Sequence, residues 1–299
     1  MTVAESNASW TRRVALWFDT GAAVPTRPDR RRAVDWIRVV PFVAMHLACL
    51  GVFWVGFDRR AMLLAAALYL VRMFAITGFY HRYFSHRAFA TNRATQFVFA
   101  CVGASAVQRG PLWWAAHHRK HHRHADTELD VHSPSQHGFW WSHMGWITDA
   151  VNFPTDVHEV RDLARFRELR LLDRFDIVVP LLLAIALFVA GGWSFLIWGF
   201  FVSTVVLFHA TCLINSLAHT FGRRRYDTDD DSRNSLTLAI ITLGEGWHNN
   251  HHRYPGSARQ GFYWWEFDLT YYALWLLARL RVIRNLRPVP RRVLEAGAW

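Results

Sequence analysis

Four stretches of the chain are long and apolar, at 39–57, 61–79, 177–190 and 193–213. The hydrocarbon core of a bilayer is about 30 Å thick, so a helix rising about 1.5 Å per residue needs roughly 20 apolar residues to cross it. Asp58, Arg59 and Arg60 separate the first two stretches, and Gly191 and Gly192 the last two. Each pair therefore reads as a helical hairpin. Two further apolar segments, 97–114 and 262–283, are interrupted by Gly, Pro or charged residues. They read as helices lying in the headgroup plane with their rings toward lipid. The pattern predicts an all-α integral membrane protein with four transmembrane helices as two hairpins. It forms one domain: a basic segment 1–38, hairpins at 39–79 and 177–213, and a helical cap from 80–176 and 214–299.

Composition agrees with a membrane class. Of 299 residues, 52% are hydrophobic and 19% charged, with 16 Trp and 22 Phe. The mean hydropathy of +0.05 is low for a pure bundle of spans, so a large polar portion lies outside lipid. The net charge is +11 with histidines neutral, and Lys120 is the sole lysine. The arginine bias suggests a GC-rich bacterial genome. The charges lie beside apolar spans, which favours anionic lipid and an acidic protein partner over nucleic acid. Arg27, Arg30, Arg31 and Arg32 precede the first span, and Arg223, Arg224 and Arg225 follow the fourth. By the positive-inside rule both termini and the cap are cytoplasmic, in a multi-pass protein of a bacterial inner membrane. The Asp58-Arg59-Arg60 turn runs against that rule and is outnumbered. Cys49, Cys101 and Cys212 have no motif spacing, which argues against disulfides and thiolate metal sites. The polar, Arg-rich start of the chain does not read as a cleavable signal.

Seventeen histidines carry the chemistry. His81 and His86 form H-x4-H. His118, His121 and His122 form H-x2-H-H, and so do His248, His251 and His252. Positions i, i+3 and i+4 share one helix face, so each triplet can aim three imidazoles at one spot. His81 and His86 would diverge by about 140° on an ideal helix, so they are expected to straddle a helix end or a bent turn. His46, His209, His137, His143 and His158 read as ordinary core or surface residues. His117 and His124 read as spare imidazoles or parts of the cap. Eight clustered imidazoles exceed what one structural zinc needs, and no cysteine ligand supports an iron–sulfur or copper(I) site. An all-nitrogen, two-metal site beside lipid suits iron and oxygen chemistry best. Asp126, Glu128, Asp130 and Glu245 stand near the boxes in sequence and are candidates to orient the imidazoles.

The runs His81-Arg-Tyr-Phe-Ser-His86, His118-Arg-Lys-His121-His122 and Gly244-Glu-Gly-Trp-His248-Asn-Asn-His251-His252 resemble the three histidine boxes of membrane fatty-acid desaturases. Asp126-Thr-Glu-Leu-Asp130-Val-His132-Ser-Pro134 and Asn215-Ser-Leu-Ala-His219 resemble the acyl-CoA, stearoyl-type delta-9 branch in particular, as a bacterial variant. The resemblance spans about residues 40–285. It implies a cytoplasmic cap holding a diiron site above the four-helix stem, with a narrow tunnel for an acyl chain. It adds His219 as a ninth histidine ligand and Asn215 as a residue holding a metal-bound water. It implies two iron ions, dioxygen as co-substrate, and a long-chain fatty acyl substrate on CoA, phospholipid or acyl carrier protein. No haem-attachment motif or Cys-rich cluster is present, so electrons must come from a separate ferredoxin, rubredoxin or cytochrome b type donor with its reductase.

One departure bears on the substrate. Animal acyl-CoA members carry Arg-Asp just before the second box, where this chain has Ala116 and His117. Arg109, Arg223 and Arg224 are the candidate phosphate contacts, and Trp114 a candidate substrate contact. Tyr69 and Ala65, one turn apart, are candidates for a tunnel floor that limits chain length. The alternatives are a hydroxylase, ketolase or acetylenase with the same boxes, a His-rich metal transporter, and a lipid-binding structural protein.

Overall fold

The structure, a computed structural model, describes residues 14–22 and 34–297. Arg27, Arg30, Arg31 and Arg32 of the basic segment lie outside the described residues.

Three helical stretches are long and apolar enough to cross a membrane: Arg38–Val55, Arg59–Ser85 and Val178–Ser216. The first consists of α1 (Trp36–Ala48), a 3-10 turn at Cys49–Gly51, and Val52–Val55. Gly56 at φ 69° ends it. Asp58 then caps α2 (Arg59–Phe74), accepting from the backbone N–H groups of Arg60 at 2.8 Å and Ala61 at 3.2 Å. This explains the acid in the Asp58-Arg59-Arg60 turn: its carboxylate satisfies helix donors that have no partner within the helix. The third stretch comprises α6 (Val178–Ser194), a π-helical segment Phe195–Val202, and α7 (Ser203–Ser216). It is broken where Gly191 (φ −154°, ψ 19°) and Gly192 (φ 62°, ψ −151°) leave helical geometry. A Cβ built on Gly199 would lie 3.5 Å from Leu187, although twelve residues of straight helix would set them about 18 Å apart. The chain therefore folds back at the glycine pair. Ser194 Oγ donates to Asp58 at 3.0 Å and Trp198 Nε1 to the Gly56 carbonyl at 3.0 Å, tying the two turns together.

Helices α3 (Arg93–Ala104), α4 (Pro111–His124) and α5 (Arg167–Arg174) lie between the apolar stretches, and α8 (His248–Arg253) and α9 (Leu269–Arg279) follow them. The apolar segment 97–114 is not one in-plane helix. It splits between α3 and α4 at a loop where Val107 (φ 58°) and Arg109 (φ 70°) are left-handed. Phe79 of the second span stacks on Phe99 of α3 at 3.8 Å between ring centroids, inside a core that also holds Phe84, Leu112, Leu163, Leu169 and Leu274. Two short strands, β1 (Ala90–Thr91) and β2 (Ile283–Arg284), pair antiparallel and fasten the C-terminal segment beside the end of the second span. The segment leading into α9 and the helix itself expose Trp264, Trp265, Phe267, Trp275 and Leu276, the apolar face expected of an interfacial segment.

Candidate metal centre

The second apolar span does not stay α-helical. Ala75–Ser85 is π-helical, and His86 follows as its C-terminal cap. The His86 backbone N–H bonds the His81 carbonyl at 3.3 Å, an i→i+5 link. That link widens the turn and reduces the divergence an α-helix would impose on H-x4-H, leaving the two ring centroids 5.0 Å apart. The widened turn aims both rings inward. Helix α4 presents His118, His121 and His122, and α8 presents His248, His251 and His252. His219 lies three residues past the end of α7.

The nine histidines gather into two groups, each with one ligand atom per residue within 4.8 Å of every other. One is His81, His86, His118, His122 and His251, and the other is His121, His219, His248 and His252. Their Nε2 atoms face one another. The separations are 2.9 Å for His81–His251, 2.9 Å for His122–His251, 2.8 Å for His86–His118, 3.0 Å for His219–His248 and 3.1 Å for His248–His252.

Carboxylates hold the outer nitrogens. His121 Nδ1 lies 2.9 Å from Asp130, His219 Nδ1 2.7 Å from Asp126, and His252 Nδ1 2.7 Å from Asp230. Glu245 takes His81 Nδ1 and also accepts from Arg82 at 2.9 Å. Three of these acids are ones the sequence suggested. Asp230 was missed, although it stands in an acidic run between His219 and His248. Glu128 is exposed and belongs to none of the clusters. His132 was also missed: it is buried, its ring 4.5 Å from His121, and it forms a third cluster with His121 and Asp130.

The donor set suits a cation. Burial first, and neighbouring imidazoles second, hold His86, His118, His122, His248 and His251 well below the ordinary histidine pKa, so these rings are neutral. Where a carboxylate takes the Nδ1 proton, the Nε2 atom turns a lone pair inward. His219 and His252 both do so against His248 Nε2, and one proton there can satisfy only one of them. His248 Nδ1 is itself buried without a hydrogen-bond partner. Metal ions held among the inward nitrogens would accept all of these lone pairs.

Two cavities reach the groups. The smaller, of about 50 Å³, is lined by His81, His118, His121, His248, Trp114 and Asn215. The larger, of about 490 Å³, begins at His118, His132 and Asn215 and continues between apolar walls that include Phe42, Leu181, Phe200 and Phe208. Trp114 borders both cavities and stacks on His118. Arg109 lines the larger one but is committed to Asp176 at 2.6 Å and to the Phe153 carbonyl at 3.2 Å. Neither Tyr69 nor Ala65 lines it, and the Tyr69 hydroxyl instead donates to the Ile241 carbonyl at 2.7 Å. Arg223 and Arg224 also lie off its walls: Arg223 pairs through its backbone with Asn234, and Arg224 donates to the Thr228 carbonyl. His117 lines the cavity outside both histidine groups, its Nδ1 3.0 Å from the Trp113 carbonyl, and His124 joins neither group. His46, His209 and His143 are not isolated. His46 Nε2 lies 2.9 Å from His209 Nε2, His209 Nδ1 3.0 Å from His143 Nε2, and His143 Nδ1 3.0 Å from Ser216 Oγ.

Long apolar helices beside two convergent histidine groups and an apolar cavity define a class: helices able to cross a membrane, with a donor set that suits metal ions. Comparison with known proteins narrows that class. The fatty acid desaturase family model matches residues 59–282. The chain is 38% identical over 279 residues to an sn-2 palmitoyl-lipid 9-desaturase of Nostoc sp. (strain 36), covering 90% of this chain and 96% of that protein. It is 37% identical over 268 residues to an sn-1 stearoyl-lipid 9-desaturase of Anabaena variabilis, covering 89% and 97%. It is 37% identical over 283 residues to an acyl-CoA 5-desaturase of Anemone leveillei, covering 90% and 87%. The chain belongs to the fatty acid desaturase family, whose members are oxidoreductases.

Proposed function

We propose that this chain is a membrane acyl-lipid desaturase that introduces a delta-9 double bond into a long-chain fatty acyl group. The observation that carries the reading is the pair of convergent histidine groups at the mouth of an apolar cavity. His81, His86, His118, His122 and His251 would hold one iron. His121, His219, His248 and His252 would hold the other, with Asn215 supporting a water on the side where this group has one histidine fewer. Iron bound there would supply, with dioxygen, the oxidising power that unactivated methylenes require. The chain's own residues do the rest. Asp126, Asp130, Asp230 and Glu245 fix the tautomer of four imidazoles. Trp114 closes the space between metal groups and acyl cavity. The apolar walls exclude water and hold one methylene pair near the metals.

Two features favour a lipid-borne chain over acyl-CoA, the carrier expected from the sequence. Relatives of high coverage are named lipid desaturases. Arg109, the one suggested phosphate contact on the cavity wall, is already ion-paired to Asp176. Acyl-CoA is the alternative, since one relative of similar identity is named for it. The fold-back at Gly191–Gly192 supports four crossings rather than three, within a single domain, with termini and cap on the cytoplasmic side of a bacterial inner membrane. A separate ferredoxin, rubredoxin or cytochrome b type donor, with its reductase, would deliver electrons to the basic cap.

The test is expression in a host of defined lipid composition, followed by mass spectrometry with double-bond location. New delta-9 monoenes in membrane lipid are expected, with about two irons per purified chain. A product heavier by one oxygen would make the chain a hydroxylase. Isolated membranes given acyl-CoA or acyl-lipid separately decide the carrier: desaturation of the CoA ester alone would overturn the lipid assignment.

A further inference from the structure

Arg72 is a buried cation in the second apolar span, 1% exposed. Charge at such a depth is costly unless the protein satisfies it. Among the described residues no carboxylate pairs with it. Its guanidinium is instead spread over four oxygens from three segments. Nε donates to the Leu68 carbonyl at 3.1 Å on its own helix, and Nη1 to the Ser105 carbonyl at 3.2 Å and to Thr204 Oγ1 at 2.6 Å. Nη2 donates to Ser203 Oγ.

These partners lead to two walls of the large cavity. Thr204 lines it directly, between the lining residues Phe200 and Phe208. Ser105 opens the loop in which Val107 and Arg109, both lining residues, hold left-handed backbone. Such conformations persist in non-glycine residues only when their surroundings fix them, and the Ser105 carbonyl is one point of fixation. Thr204 stands eleven residues before Asn215 on the same helix, about 16 Å further from the histidine groups. Through Thr204, Arg72 grips the part of the cavity away from the histidine groups, where the methyl end of a bound chain would lie, and through Ser105 it holds the loop whose Gln108 Nε2 donates to Thr211 Oγ1 at 2.9 Å nearer to them. A planar fork spreads five donors over three nitrogens and so spans oxygens set apart, whereas a lysine holds its three donors on a single nitrogen.

We propose that Arg72, through Thr204 and the Ser105 carbonyl, fixes the spacing of the cavity walls and so determines which acyl chain lengths the enzyme desaturates. It is a positioning residue, and the inference rests on the reading that this cavity holds the acyl chain.

The experiment compares wild type with Arg72→Met, Arg72→Lys and Thr204→Val in a host offering both palmitoyl and stearoyl lipids. The readouts are the ratio of the two monoene products, the double-bond position, and iron content. Arg72→Met is expected to change the product ratio by about threefold or more at unchanged iron per chain. Thr204→Val, which nearly keeps the side-chain shape and loses the hydroxyl that accepts from Arg72, is expected to move the ratio in the same direction by less. Arg72→Lys is expected to fall with Arg72→Met, because charge without the fork does not span the walls. Should Arg72→Met fail to fold, Thr204→Val and Arg72→Lys carry the result alone. A ratio that stays at the wild-type value while total product falls would reduce Arg72 to a general structural role and overturn the proposal. Wild type forming no double bond at all would remove the acyl-cavity reading beneath it, and that outcome is read before any variant.

Discussion

Two sets of histidines stand close together in this molecule, and they differ in what each ring does with its second nitrogen. In the convergent set, four outer Nδ1 atoms are held by Asp126, Asp130, Asp230 and Glu245, and the inner Nε2 atoms crowd against one another. In the other set, His46, His209 and His143 form a line from the Phe42 carbonyl, 2.7 Å from His46 Nδ1, to Ser216. Each ring of the line spends both nitrogens on a neighbour and leaves no lone pair for an ion. Proton counting separates the sets further. In the line, His46 Nδ1 must donate to a carbonyl, and Ser216 Oγ is already donating to the Cys212 carbonyl, so His143 Nδ1 must donate as well. Those two protons and one for each N–N link make four, whereas three neutral rings carry three. The line therefore holds one extra proton or turns the Ser216 hydroxyl around. The convergent set turns its lone pairs onto shared points and suits a cation, while the line is one proton short along a chain of hydrogen bonds and can close the gap at Ser216.

The sharpest way to break the contrast is to remove a convergent ring. His251→Ala should abolish product formation and lower bound iron while the protein still inserts, because His251 Nε2 meets both His81 and His122. Product at wild-type level from this variant would sink the ligand assignment. A smaller effect is expected one layer out. Asp230→Asn leaves His252 in place but weakens the hold on its Nδ1, so metal affinity or activity should fall by about 10–100-fold. Iron retained through dialysis against a chelator at the wild-type level would show that Asp230 does not tune the site.

Much of the convergent set was legible in the sequence because α-helical spacing reports directly on shared faces. His118, His121 and His122, and His248, His251 and His252, needed nothing but their intervals. His81 and His86 were legible only as a puzzle, since five residues do not fit an α-helix. The π-helical turn that solves it carries no residue pattern that announces a widened turn, and its Phe79 and Phe84 are buried in the core. His219 and Asn215 came through family resemblance alone. The line of His46, His209 and His143 was invisible: its members come from three separate segments and meet only through tertiary packing. The same limit misplaced the suggested cavity floor. Tyr69 and Ala65 share a helix face, but which face meets the cavity depends on how the later helices pack against it, and the wall there is formed by Phe200, Thr204 and Phe208.

Breaking the line should leave the metal alone. His209→Phe keeps a ring of similar size but strands a nitrogen on His46 and another on His143. The expected cost is about 1–3 kcal/mol of stability, read as a lower thermal midpoint in detergent, with iron content unchanged. Loss of iron in this variant would erase the distinction between the two sets.

The weakest expected effect marks the outer boundary of the convergent set. Asp126 and Glu128 are two residues apart in one acidic run, and sequence proximity made them equal candidates. The structure separates them by burial and by partner. Asp126 accepts from Ser133 Oγ at 2.8 Å and the Asp231 backbone N–H at 2.8 Å, and it holds His219. Burial pushes its carboxyl pKa up, but the His219 hydrogen bond and charge outweigh that and leave it at about 2. It therefore stays ionised and able to accept throughout the neutral range. Glu128 is exposed, and solvent screens whatever charge it carries. Glu128→Gln should change stability by no more than about 0.5 kcal/mol and leave product yield and iron content at wild-type levels. Asp126→Asn in the same assay should lose iron first, because the amide no longer enforces a proton on His219 Nδ1. Equal behaviour of the two variants would mean that the acidic run acts through its summed charge, and that the individual carboxylate–imidazole contacts do not orient the site.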